Sequence, residues 1–181
     1  DVTVLNPPAD VEVMFDKPRC QALFAGRGIP VPANLAPVRS FDELAERMRA
    51  TGRRRVFVKL AHGSSASGVV AYETAGQRQQ ATTTVELVRH AGELRLYNSR
   101  RLRRYRKPGD IAALIDALAR EGVQVEEWVP KATLGGEAFD LRVLVIAGQA
   151  RHAVVRLSRG PMTNLHLLNR RGDLAVVRDR L

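Results

Sequence analysis

The chain has 181 residues, 45% hydrophobic and 27% charged, which suits one compact domain or two small subdomains with a real core. Its net charge is +10, but seven positive residues lie between Arg95 and Lys107 with no acid among them; without these, 22 positive residues face 19 negative ones, so the basicity is mostly local. No apolar run reaches the roughly 18–20 residues of a membrane span, no leader pattern opens the chain, and one cysteine, Cys20, excludes an internal disulfide framework, as expected in a reducing cytoplasm.

In chain order, "MFDKPRCQALFAGRG" predicts the first helix. Asp16 caps it, Pro18 suits its first turn, and Gly26 or Gly28 ends it. A second helix starts at the capping box "SFDE", with Ser40 and Glu43 three apart, and stops at Gly52. Strands follow at 56–60, 69–72, 82–88 and 94–97. The threonines 82, 83 and 84 read as strand formers. "GDIAALIDALAREG" has Ile111, Leu114, Ile115 and Leu118 at helical spacing, and Gly122 closes this third helix. Further strands read at 123–129, 141–147, 153–157 and near 174–177. The pairs 82–88 with 94–97 and 141–147 with 153–157 read as antiparallel hairpins. Without a steady βαβ rhythm, the fold class is α+β. "VPKATLGGEAF" (129–139) is the place for a hinge.

Chemistry concentrates in three places. In "VFVKLAHGSSASGVV" a lysine, Lys59, ends a β-branched run, and a loop of Gly63, Ser64, Ser65, Ser67 and Gly68 follows. Small residues let backbone N–H groups approach an anion, and a lysine adds charge. The loop matches neither a Walker A sequence, a dinucleotide fingerprint nor a nucleophile elbow. A plain hairpin turn and an anion cradle both stay open. "QVEEWVPK" puts Glu126, Glu127, Trp128 and Val129 at a strand end, where backbone groups can meet an adenine edge. "FDLRVLVIAGQARHAVVRLS" alternates Asp140 and Arg142 on one strand face, with Arg156 across the hairpin. A carboxylate for ribose hydroxyls and guanidiniums for phosphates is one use; a surface ion pair is the other.

Taken in series, these segments resemble the ATP-grasp superfamily. "FDKPRCQALFAGRGIPVP" resembles its "DK…L…GIP.P" opening, and "VFVKLAHGSSASGVV" its strand and phosphate-covering loop. "VEEWVP" resembles the "E-x-W/F-I/V" hinge that holds adenine. "FDLRVLVIAGQARHAVVRLSRGPMTNLH" resembles a stretch of the ribosomal-protein glutamate ligase branch. The matches span about residues 15–172 in the family's order.

The resemblance implies an ATP-grasp fold, two α+β subdomains with the nucleotide bound between them. Residues 1–15 would be a remnant of the pre-grasp segment, 16–129 the small subdomain with the phosphate loop, and 130–181 the start of the large subdomain. It also implies a ligase that activates a carboxylate as an acyl phosphate for attack by an amine or thiol, with ATP and Mg2+ as cofactors. Lys17 and Lys59 would hold the phosphates, and Gly63, Ser64, Ser65 and Gly68 would cover them. Glu126, Glu127, Trp128 and Val129 would bracket the adenine, and Asp140 would meet the ribose. Arg142 and Arg156 would sit toward the phosphates and the acyl phosphate, with Asn164 near the acceptor.

The family's metal-ligand motif, an acid and then "E-x-N", does not occur before Leu181. That gap leads us to expect an excerpt of a longer enzyme or a degenerate member, its metal ligands outside this chain, without useful ATP hydrolysis by itself. One competing reading is a non-catalytic nucleotide-binding module that keeps the lysines and hinge without metal ligands; the other is a basic nucleic-acid-binding module built on "RLYNSRRLRRYRK", where Tyr97 and Tyr105 interleave with arginines. That stretch would serve a nucleic acid, an acidic substrate, or solvent. His62, His90, His152 and His166 lack ligand spacing, and Cys20 suits a helix core.

Overall fold

The computed structural model describes residues 4–35 and 37–178. Among them are five α-helices and two antiparallel sheets, a mixed α+β architecture. The chain divides into two compact units, Asp1–Trp128 and Val129–Leu181. No helix among the described residues is long and apolar enough to cross a membrane.

The first unit holds α1 (Pro8–Phe15), α2 (Lys17–Gly26), α3 (Phe41–Ala50), β1 (Arg55–Leu60), β2 (Val70–Ala75), β3 (Arg78–His90), β4 (Glu93–Tyr105), α4 (Pro108–Arg120) and β5 (Val123–Glu127). Its sheet has the order β4-β3-β2-β1-β5. Period-two alternation sends Val56 and Val58 of β1 and Val123 and Val125 of β5 to one face. There they join Leu44 and Met48 of α3 and Ile111, Leu114, Ile115 and Leu118 of α4 in the core. Each fully buried Val, Leu or Ile contributes about 1.5–3 kcal/mol. Phe57 and Lys59 therefore point to the other face, away from this core.

The helix starts follow their capping chemistry. The Asp16 carboxylate accepts from Arg19 N–H at 3.0 Å. Ser40 Oγ accepts from Glu43 N–H at 3.2 Å, while the Glu43 carboxylate accepts from Arg39 N–H at 2.8 Å. The turns of the two expected hairpins have positive φ at both central residues, Ala91 and Gly92 in one, Ala147 and Gly148 in the other. Helix α1, ahead of Asp16, lies in the residues expected as a pre-grasp remnant and ends at Phe15.

β3 and β4 run well past the expected 82–88 and 94–97. The basic stretch is strand from Arg95 to Tyr105, and only Arg106 and Lys107 lead on into α4. The arginines interrupt its apolar alternation, but its pairing with β3 keeps it extended.

The second unit holds β6 (Thr133–Leu134), β7 (Glu137–Ile146), β8 (Gln149–Ser158), β9 (Arg170–Gly172) and α5 (Leu174–Arg178), with sheet order β6-β7-β8-β9. Its small core gathers Val155, Leu157 and Val177, with Phe139, Leu141 and Leu174 against them. The expected strand at 174–177 is a helix. Asp173 Oδ1 accepts from Ala175 N–H at 2.8 Å, and the spacing of Leu174 and Val177 turns both inward.

Candidate functional site

The open face of the first sheet is where β1 and β5 set their polar residues. Phe57 stands opposite Glu126 and Lys59 opposite Gln124. All four therefore share that face, together with Trp128 just beyond β5. The Lys59 ammonium pairs with the Glu126 carboxylate. Both side chains are at least three-quarters covered. The Trp128 ring lies 5.2 Å from the Phe57 ring, centroid to centroid, and the Arg55 guanidinium sits 5.5 Å from the indole.

Helix α2 docks at the end of β1 and brings the second lysine. Lys17 N–H donates to Ala61 O at 3.1 Å. Its Nζ donates to Leu60 O at 2.9 Å and Gly63 O at 2.6 Å. Gln124 Nε2 donates to Gln21 Oε1 at 2.7 Å, fixing the helix to the sheet from a second point. Burial lowers the Lys17 pKa below its usual 10.5, the Lys59 charge lowers it further, and Glu126 partly opposes both. Two lysines 42 positions apart thus share one electrostatic neighbourhood, with one carboxylate between them in effect.

The small-residue loop closes beside this pair. Ser67 N–H donates to Ser64 O at 2.9 Å. Ser65 and Ala66 have φ of 54° and 60°, unfavourable for side-chain-bearing residues, and Gly68 has 65°. Two threonines hold the conformation. Thr83 Oγ1 donates to Val69 O and Thr84 Oγ1 to Ala66 O, each at 2.7 Å. Both are fully buried. Reading 82–84 as strand formers missed this second task, which only the fold can bring to the loop. Gly68 also has a packing reason: a Cβ there would come within 2.5 Å of Leu60 side-chain atoms. A Cβ at Gly63 would lie 3.9 Å from Lys17 Nζ.

Strand alternation divides the expected adenine bracket. Glu126 and Trp128 stand on the open face with Lys59. Glu127 stands on the other, its carboxylate 3.2 Å from Arg53, its N–H donating to Ala33 O at 2.8 Å. Val129 is half exposed and begins the second unit.

In the second unit Asp140 of β7 faces Arg156 of β8. Asp140 Oδ1 accepts from Arg156 Nε at 2.6 Å, and Oδ2 accepts from Lys131 Nζ at 2.8 Å and from the Thr163 hydroxyl. Burial alone would raise the Asp140 pKa; these bonds, Arg156 first, outweigh it and lower the value to about 2. Lys131 and Thr163 were not singled out from sequence, because loops bring them in and no spacing announces it. Arg142 is exposed, opposite Val154. The Asn164 carbonyl accepts from Leu167 N–H at 3.0 Å and Asn169 Nδ2 at 3.1 Å, anchoring a short 3-10 turn.

Among the described residues, no three His, Cys, Asp or Glu side chains gather as a group that could hold a metal ion. Comparison with known protein families, curated proteins and solved structures finds no match.

Proposed function

We propose that this chain carries the nucleotide-binding part of an ATP-dependent ligase of the ATP-grasp type, acting on a carboxylate substrate and an amine or thiol. The observation that carries the reading is Lys17 Nζ held on Leu60 O and Gly63 O at the start of the Gly63–Gly68 loop, with Lys59 on the strand that leads into it. Burial, and then the charge of Lys59, disfavour the charged form of Lys17, and a bound polyphosphate would offset that cost. Loop strain held by buried hydroxyls is a further pointer to a binding role.

When bound, ATP supplies the phosphoryl group that activates the carboxylate for displacement. In this reading Lys17 and Lys59 orient the phosphates and neutralise charge as it shifts among their oxygens. Glu126 keeps Lys59 extended across the sheet. Trp128, braced by Phe57, offers a flat apolar wall for the base. Magnesium, when bound with ATP, would neutralise phosphate charge, held by the phosphates and one or two carboxylates rather than by a full protein cage.

Calorimetric titration with ATP tests the reading. Lys59→Met retains the apolar stem and removes the charge. Losing a charge-assisted bond of about 1.5–3 kcal/mol weakens binding by roughly 10- to 150-fold. Lys59→Met/Glu126→Gln, which leaves no orphaned carboxylate, loses affinity likewise. Parental affinity in both variants would overturn the assignment.

A further inference from the structure

The basic stretch is left unused by that site, and its construction is specific. β4 is the outer strand of the first sheet, and no strand pairs with its far edge among the described residues. Its register against β3 breaks once. Thr83 faces Arg103 and Val85 faces Asn98, so residues 99–102 bulge against Thr84 alone. Arg100 and Arg101 ride on this bulge, both exposed. The Tyr105 hydroxyl pins the strands on either side of it: it accepts from Leu87 N–H at 2.9 Å and donates to Val85 O at 3.2 Å.

Some of these cations are already matched. Arg95 pairs with Glu93, Arg103 with Glu86, and Arg106 Nε donates to Gln80 Oε1. Arg100, Arg101, Arg104 and Lys107 have no carboxylate partner among the described residues. Ala81, opposite Tyr105, faces the core, so Arg104 and Arg106 project to the open face. Where β4 ends, a pocket of about 710 Å³ opens, with Arg54, Arg55, Arg78 and Arg106 in its wall against one carboxylate, Glu73.

We propose that this arginine fringe and the adjoining pocket bind the phosphodiester backbone of a single-stranded nucleic acid. At about 3.3 Å per residue the fringe extends on the order of 30 Å, which suits a chain of charges better than one small anion. Six of its seven cations are arginines, whose planar fork matches phosphate oxygens and stacks on bases. Tyr97, 51% exposed and opposite Glu86 on the open face, adds an aromatic platform. Acidic peptides would use the charge but not the platform.

The test is fluorescence anisotropy of a labelled oligouridine of about 20 nucleotides with the full chain, over a salt series. Four unmatched cations, each neutralising one phosphate, give a log–log slope near −3, or about 50-fold weaker binding between about 50 and 200 mM salt. Arg100→Glu/Arg101→Glu/Arg104→Glu brings the slope to about −1 or shallower and weakens binding at least about tenfold at low salt. The neutral variant Arg100→Gln/Arg101→Gln/Arg104→Gln falls between. Arg27→Glu/Arg39→Glu/Arg120→Glu makes the same change in net charge at exposed sites elsewhere and leaves binding near the parent's. The proposal is overturned by any of three results: no binding at low salt, equal loss in both glutamate triples, or tighter binding of a labelled polyglutamate than of oligouridine.

Discussion

Gly68→Ala puts two costs on the loop beside the lysine pair, and the structure separates them. The φ of +65° is in the left-handed region, where a Cβ costs about 1–2 kcal/mol. The same Cβ would lie 2.5 Å from Leu60 Cγ and Cδ1, with Leu118 at 3.5 Å behind. Overpacking of that kind adds about 1–3 kcal/mol. The total is about 2–5 kcal/mol. Gly76 has nearly the same φ, +63°, with nothing within 4 Å of its would-be Cβ. Gly76→Ala therefore measures the backbone cost alone, and the difference between the two variants is the clash. Trp128, the one tryptophan, packs on Phe57 in the same unit, so its fluorescence follows this unit in urea. With a slope of about 2 kcal/mol per molar urea, Gly68→Ala lowers the midpoint by roughly 1–2.5 M and Gly76→Ala by about 0.5–1 M. Leu60→Val in the Gly68→Ala background restores part of the loss. Equal midpoints for the two alanine variants would refute the packing argument and leave Gly68 with backbone freedom only.

Two further outcomes follow from the charges. The chain has four lysines, so a 13Cε titration resolves each: Lys17 titrates below 10.5, Lys59→Met moves it up, and Glu126→Gln moves it further down. An unmoved Lys17 in both variants would mean that the two ammonium groups do not sense each other. Asp140 has a folded-state pKa of about 2 against 3.8 unfolded, so its stabilisation is complete above about pH 4 and disappears as the pH falls through about 2. After allowance for its partial exposure that is about 1–2 kcal/mol for the second unit. Asp140→Asn flattens this acid limb, read from β7 and β8 amide resonances in urea at several pH values; a limb identical to the parent's would place the titration elsewhere.

Local rules carried much of the fold. Ser40 and Glu43 mark a helix start through bonds within four residues, and α4 follows from Ile111, Leu114, Ile115 and Leu118 alone. Gly92 and Gly148 mark the hairpins, though each turn begins at an alanine one residue earlier. The rules failed where a partner decides. Beyond Tyr97 the apolar alternation ends, and only pairing with β3 reveals a strand. "LAVV" has strand propensity, yet Asp173 caps it and Val177 packs, so it coils. The same division holds for the site. Alternation could already have set Glu126 and Glu127 on opposite faces. The Lys131 and Thr163 bonds to Asp140, and the threonine clamps on the loop, depend on segments brought in from a distance.

A strand at the rim of a sheet invites a neighbour's strand to extend it, which is how aggregates grow. β4 guards against that without help from any ligand. A second copy approaching it would bring guanidinium against guanidinium, and the bulge at 99–102 would throw its ladder out of step. The row of charge thus doubles as insulation, and swapping it for valines would remove the repulsion while raising strand propensity.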